Sequence, residues 1–560
     1  MQIILSSKKS RFSSGSVAGL IAGIIASALM LLLNLTLGGA SLPDILSSVI
    51  ALAMPLSLFN YLHQLIGGDA KYYLFLIVLL GQCLVFALCG GLCSLLLDPV
   101  KFSKARDEQG RLNWNVGFVL AFILWLFTGC IFLPLTGGGF FGSQLVSGAM
   151  NSMLSLAVVG VVFGASFVFL HNWLLLRQQK REAANEAETD WIVYQQAEQR
   201  RTFIRTGIGA LALGALGWVA WRFIMGGEGS GSTLSQSSQT TILKQYQSKI
   251  SPPPTPNYGT FQDVPLLSSE VTSNSQYYVV SKNITSDPTV DGSSWQLHVD
   301  GEVEHAYTLN YKELMALPMQ KQYESMMCIS NDVGGSYMSN GLWEGVPLKD
   351  LLERAGTIKP GATKVVLHAA DGYTDSIHLA KALEPTTLVA VRMNNDTLPQ
   401  GHGYPARLLV PGIYGMKHVK WITQIEVVSV DYKGYWQQSG WSDPAPIRMT
   451  TRIDTPLTGS TSVKANKSTY VAGVAFSGDK GISEVDVSFD AGQTWQKATL
   501  KKPLSALTWV LWEIPWQPKA GNYTVVARAI DMAGNVQDPQ LAPPLPDGSS
   551  GYHSISVSVS

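Results

Sequence analysis

The sequence predicts a multi-domain chain: an N-terminal α-helical transmembrane bundle, an α+β domain, and a C-terminal immunoglobulin-like β-sandwich. Three observations predict it. Residues 1–225 are dominated by apolar runs of about twenty residues, the length that crosses a bilayer. Residues 265–445 mix short β-rich runs with brief helices. Residues 446–560 alternate apolar and polar positions with the period of half-buried strands.

In the first region the runs lie near 17–38, 72–97, 114–136, 150–176 and 206–225, about five spans. The first follows Lys8, Lys9 and Arg11 like a signal peptide, but its apolar core is long and further spans follow, so it reads as a retained helix. A sixth run, 42–66, holds Pro55, Asn60 and His63. Basic clusters at Lys8–Arg11, Lys101–Arg111 and Arg177–Arg205 fall on one side of the membrane if five runs span, as the positive-inside bias requires. The run 42–66 is therefore expected to be interfacial or re-entrant. Gln199-Arg200-Arg201-Thr202-Phe203-Ile204-Arg205, ahead of the last span, reads as an internal twin-arginine export signal, against the simpler reading of a positive-inside cluster. His63 and His171 are the histidines of this half, and polar edge residues are the expected role for both. No haem is expected in the chain.

Residues 226–264, rich in Gly, Ser, Gln and Pro, read as a flexible tether. Forty basic residues balance forty acidic ones, so nothing in the charge argues for a nucleic-acid partner. In the α+β region, Trp295–Val299 and Val365–His368 read as strands. Pro347, the leucines 348, 351 and 352, and Gly356 read as the start, buried face and stop of a short helix.

Four of the five cysteines lie in apolar runs, and Cys328 is the one beyond residue 130. A single thiol there has no disulfide partner. The residues alone leave two readings for it, a buried structural cysteine and a soft metal ligand on a sharp turn that ends in Gly334-Gly335.

The motifs around it narrow the choice. Cys328-Ile-Ser-Asn-Asp332 is followed by Leu342-Trp343-Glu-Gly-Val-Pro347 and His368-Ala-Ala-Asp371-Gly-Tyr373. Then come His402-Gly-Tyr-Pro-Ala-Arg407, Gly412-Ile-Tyr-Gly415-Met416-Lys417-His418-Val-Lys420-Trp421, and Asp431-Tyr432-Lys433-Gly434. In order and spacing this resembles the sulfite oxidase family of molybdopterin-dependent oxidoreductases, from about Tyr277 to the C-terminus. The resemblance implies that Cys328 ligates molybdenum and that Tyr432 lies beside the metal. It implies cofactor contacts from His402, Arg407, Lys420 and the loop Gly415-Met416-Lys417-His418. Asp371 falls at a cofactor-binding aspartate, and Ser281-Lys282-Asn283 falls where an Arg-x-His loop is common. The cofactor would be molybdenum-molybdopterin, and the C-terminal sandwich would dimerise the chain.

The chain departs from the sulfite-oxidising members at Val333, where they carry an arginine for the anion, and Asp332 precedes it. Substrate therefore stays open between a small oxyanion such as sulfite and an S-oxide of the methionine sulfoxide type. The expected protein is anchored in the cell membrane with its catalytic domain on the extracytoplasmic side, and passes electrons to a separate cytochrome or quinone-linked partner. The reading from another class is a cofactor-free scaffold whose sandwich serves adhesion.

Overall fold

In the computed structural model, the described residues are 8–54, 70–97, 111–145, 148–185, 264–283, 287–459 and 463–560, with isolated positions 58, 62, 105 and 261. The Arg200–Arg205 signal, the expected span 206–225, His63 and nearly all of the tether lie outside them. The chain divides into two compact units. One holds the N-terminal helices; the other holds the described residues of 264–282 and 287–560.

Among the described residues, four N-terminal helices are long and apolar enough to cross a membrane: α1 (Lys8–Leu37), α3 (Ala70–Leu96), α4 (Trp114–Phe127, carried on to Leu135) and α5 (Gly148–Asn185). Between α1 and α3 runs α2 (Leu42–Ala53), of 12 residues. At 1.5 Å per residue it rises about 18 Å, short of a bilayer core of about 30 Å. The rest of the run 42–66 lies largely outside the described residues. Helices α1 and α3 pack closely because glycines face each other: a Cβ on Gly15 would sit 2.5 Å from the Gly90 carbonyl oxygen. His171 is buried and bonded through Nε2 to the Ser94 hydroxyl at 2.7 Å.

The second unit contains an α+β domain of two sheets around one core. The strands are β1 (Gln296–Gly301), β2 (Tyr307–Asn310), β3 (Gln320–Met327), β4 (Met338–Pro347), β5 (Lys364–Ala369), β6 (Thr374–His378), β7 (Leu388–Met393), β8 (Asp396–Thr397), β9 (Arg407–Leu409) and β10 (Ile422–Val428). One sheet has the order β2-β1-β10-β5-β6, in which β1 and β10 are parallel. The other runs β3-β4-β7-β8, with β9 on β7. Short helices α6 (Tyr311–Met315), α7 (Leu348–Arg354) and α8 (Leu379–Ala382) connect them. Helix α7 is the one the sequence marks by its leucines. Leu348, Leu351 and Leu352 are fully buried, each contributing roughly 2 kcal/mol by burial.

Residues 450–559 form two antiparallel sheets, β11 (Thr450–Thr455), β12 (Thr469–Phe476), β16 (Val510–Trp516) and β15 (Thr499–Leu500), against β14 (Gln496–Lys497), β13 (Ile482–Ser488), β17 (Gly521–Asp531) and β18 (His553–Val559). The alternation expected in β18 is present: Ile555, Val557 and Val559 are buried while Ser554, Ser556 and Ser558 are exposed. Trp512 and Trp516 lie in the core between the sheets. A separate apolar cluster joins the sandwich to the α+β domain: Val474, Phe476, Trp509 and Leu511 pack with Met327, Ile329, Met338 and Tyr414.

Candidate active site

Strand β3 ends at Met327, and Cys328 begins a tight loop that returns to β4. The Cys328 N–H donates to the Tyr337 carbonyl at 3.0 Å, and the Asn331 N–H donates back to the Cys328 carbonyl at 3.1 Å. The side chain of Asn331 accepts from the Tyr337 N–H at 2.8 Å, which closes the loop. Cys328 is a free, buried thiol 3.0 Å from the Ser330 hydroxyl. Burial pushes the thiol up, and the Ser330 hydroxyl and loop N–H groups pull it only partly back. A bound metal would take the place of that proton.

Arg407, the first residue of β9, is buried. Its Nη1 donates to the His402 carbonyl at 3.0 Å, and its Nη2 to the His418 carbonyl at 3.2 Å and the Met326 sulfur at 3.3 Å. The guanidinium lies over the Trp343 ring, 5.3 Å from its centroid. Its Nε has no hydrogen-bond partner, and among the described residues no carboxylate lies within ion-pair distance. Burial lowers its pKa, but a guanidinium starts so high that it stays charged. The nearby carboxyl is Glu324, fully buried on β3 and pushed up to about 8 by burial, against opposing pulls from Gln322 and Arg407. Burial thus favours its neutral form, and among the described residues no carboxylate pairs with the buried Arg407 guanidinium.

His418 lies 3.9 Å from Glu324 through Nδ1. This contact is not an ion pair, because burial and then Arg407 hold the imidazole down at about 3. The neutral ring accepts the Val410 N–H at Nδ1 and donates from Nε2 to the Ile413 carbonyl. His402 is likewise held down to about 4 by burial and Arg407, and its Nε2 donates to the Asn274 carbonyl at 3.1 Å.

Gly415, Met416 and Lys417 form one helical turn leading to His418. A Cβ on Gly415 would come within 2.6 Å of the Tyr278 hydroxyl and 3.3 Å of the Met327 carbonyl oxygen, so the turn lies against the strand that delivers Cys328. The Met416 carbonyl accepts from the Tyr373 hydroxyl at 2.8 Å. Lys282 approaches Asp371 at 3.8 Å and the Tyr435 ring at 5.7 Å.

Several expected cofactor contacts thus converge: Cys328, Arg407, His402, His418, Gly415 and Met416, with Lys282 beside Asp371. Ser281 and Asn283 are half-buried on either side of Lys282. Other side chains are engaged elsewhere. The Lys417 ammonium is bonded to Asp375 at 2.8 Å and to the Ser376 carbonyl at 2.7 Å. Lys420 donates to the Gly401 carbonyl at 3.0 Å and lies over Trp421. Tyr432 donates its hydroxyl to Thr374 at 2.8 Å, and its carbonyl accepts from Lys364 and Ser376, both at 2.9 Å.

Four residues escape sequence reasoning: Tyr278, Tyr373, Glu324 and Ser330. Burial holds both phenols protonated, and Cys328 is close enough to add to the effect. Glu324 did leave a signal, since it is a charged residue inside the run Tyr323–Met327 that becomes the buried half of a strand.

The family profile described as the oxidoreductase molybdopterin binding domain matches residues 284–436, and that of the Mo-co oxidoreductase dimerisation domain matches 449–544. Human mitochondrial sulfite oxidase is 30% identical over 326 residues, covering 50% of this chain and 59% of the relative. The Arabidopsis thaliana sulfite oxidase is 29% identical over 335 residues, covering 49% and 83%. The uncharacterized oxidoreductase YuiH of Bacillus subtilis (strain 168) is 32% identical over 151 residues, covering 27% of this chain and 74% of the relative. The chain belongs to the sulfite oxidase family of molybdenum-dependent oxidoreductases. It spans 59% of the length of the rat and human mitochondrial enzymes that it matches.

The residues present fit the molybdopterin cofactor. An unpaired buried guanidinium suits an anionic group, the glycine turn admits a close backbone approach, and the free thiol is a soft metal ligand.

Proposed function

We propose that the chain is a membrane-anchored molybdenum-dependent oxidoreductase that transfers an oxygen atom to or from a small substrate at a metal ligated by Cys328. The observation that carries this reading is Arg407, a buried cation left without a counter-charge two residues' packing away from the cysteine loop, through Met326. Uncompensated burial of a charge costs several kcal/mol, so the site is built for an anion. When bound, the cofactor supplies a metal that changes by two electrons as the oxygen atom moves.

In this reading Cys328 holds the metal, Arg407 binds the cofactor's anionic end, and His402 presents its free ring nitrogen to the pterin edge. The backbone of Gly415–His418 would lie along the pterin, and Asp371 and Lys282 would close the other side with Ser281. Lys417 contributes its backbone, and Lys420 contributes charge near Gly401. Tyr432 would lie beside the metal only by releasing the hydrogen bond that its hydroxyl donates to Thr374.

One observation favours a neutral S-oxide over sulfite. The side chains near Cys328 are hydroxyls, Ser330, Tyr278 and Tyr373, while Asp332 is exposed and Val333 replaces the anion-binding arginine. Lys282 is already beside Asp371, and Arg452 is engaged by Asp454, Ser268 and the Gly335 carbonyl. Purified full-length protein is assayed with sulfite and an artificial electron acceptor, then with methionine sulfoxide and a reduced dye. Turnover in the second assay supports the S-oxide reading; turnover in the first alone overturns it. Turnover in neither, with no molybdenum bound, would favour the cofactor-free scaffold.

The helices support membrane anchoring, and the basic clusters with Arg200-Arg201 support an extracytoplasmic catalytic half. The sandwich supports a homodimer, and a separate cytochrome or quinone-linked protein would carry the electrons.

A further inference from the structure

A metal ligand carried on a loop holds its place only if something outside the loop fixes it. The Cys328 loop has internal hydrogen bonds, but its outer side rests on the C-terminal sandwich. Arg452, on β11, donates from Nη1 to the Gly335 carbonyl at 3.0 Å. The Ser549 hydroxyl donates to the Asn331 carbonyl at 2.7 Å. The His553 ring occupies the space where a side chain on Gly334 would stand, and Gly334 has φ +76°, so no other residue is accommodated there.

Arg452 is itself fixed before it reaches the loop. Its Nε donates to Asp454 at 2.6 Å and its Nη2 to Ser268 at 2.7 Å, and the Asp454 carboxylate also accepts the Ser268 N–H at 3.0 Å. A guanidinium locked on two edges offers its third to a carbonyl with little entropy left to lose. The sandwich holds the strand leading into the loop as well: the Ser505 hydroxyl donates to the Tyr323 carbonyl at 2.7 Å, and Ser325 exchanges bonds with Leu507 and Trp509.

We propose that Arg452 is a positioning residue for the metal ligand, so that the sandwich sets the placement of Cys328 as well as any contact between chains. The proposal rests on Cys328 binding the metal. It goes beyond that reading by assigning the geometry of the ligand to another domain.

The test uses the full-length, cofactor-loaded protein and the variants Arg452→Met, Arg452→Lys and Ser549→Ala. Arg448→Met serves as control, since Arg448 is a half-exposed residue of the same region, 3.8 Å from Asp547. Molybdenum content, the electron paramagnetic resonance signal of the one-electron-reduced metal, kcat and KM are measured. Arg452→Met is expected to keep its molybdenum but to show a heterogeneous signal, with kcat lowered and KM little changed. Arg452→Lys, which retains one donor, recovers part of both, and Arg448→Met matches wild type. A wild-type signal and kcat in Arg452→Met overturn the proposal.

Should Arg452→Met not fold, Ser549→Ala reads the same loop through a single lost hydrogen bond, with the same two outcomes. If the wild-type chain carries no molybdenum, the family reading fails first. The clamp is then read from alkylation of Cys328 in the full chain, with Cys328→Ser as blank. Losing a charged hydrogen bond raises exposure of the loop by about tenfold or more, and equal alkylation rates sink the clamp.

Discussion

Lys417 donates to Asp375 at 2.8 Å, and both side chains are shut away from solvent. Asp375 also accepts from the Tyr373 hydroxyl at 3.0 Å, so the pair anchors the phenol that meets the Met416 carbonyl. Lys417 thereby stiffens the Gly415–Lys417 turn from beneath, its charge engaged by Asp375. Removing one partner of such a pair leaves a buried charge, at about 3–5 kcal/mol. Lys417→Met should therefore lower the melting temperature sharply, and Lys417→Met with Asp375→Leu should lose less than the single variant. A loss in the double variant equal to the sum of the Lys417→Met and Asp375→Leu losses would show that the pair is not coupled.

Arg407→Met separates cofactor binding from stability. Without cofactor the variant should be at least as stable as the parent, because an uncompensated buried charge is gone. Its molybdenum and pterin content should fall by roughly tenfold or more, as loss of a charge-assisted contact implies. Elemental analysis beside a melting curve checks both signs. Full cofactor loading in the variant would remove Arg407 from the site.

Glu324 gives a pH dependence. Its folded pKa, about 8, lies above that of an unfolded glutamate, so the stability it contributes is complete below about pH 4.3 and is lost as pH rises through 8. Glu324→Gln keeps the shape and cannot ionise. Its stability relative to the parent's should rise from the value near pH 4 as the pH goes up toward 8, by on the order of 5 kcal/mol at the plateau. A margin independent of pH would mean that Glu324 titrates alike in the folded and unfolded chain.

Gly415→Ala places a methyl 2.6 Å from the Tyr278 hydroxyl, in the turn expected to lie along the pterin. Cofactor content should drop while the melting temperature of cofactor-free protein changes by less than about 1 kcal/mol equivalent, since Tyr278 can yield. Unchanged cofactor content would place the pterin elsewhere.

Much of this is legible in the sequence. Helix α7 announces itself through Pro347 and three leucines, and β18 through its strict alternation, because local periodicity decides both. Cys328, His402 and Arg407 stand out by motif. The role of Lys417 does not, because Asp375 lies 42 residues away and nothing local distinguishes a paired lysine from a cofactor-binding one. Arg452 is hidden in the same way, 117 residues from the carbonyl it holds. Long-range polar pairing is set by sheet register, which periodicity does not encode.

The central claim is that the Cys328 sulfur bonds to molybdenum. X-ray absorption at the molybdenum edge on the full-length protein and on Cys328→Ser tests it most directly. The account predicts metal and pterin in both, with one sulfur neighbour fewer and no turnover in the variant. Identical sulfur coordination in the two proteins, or no molybdenum in the parent, would contradict it.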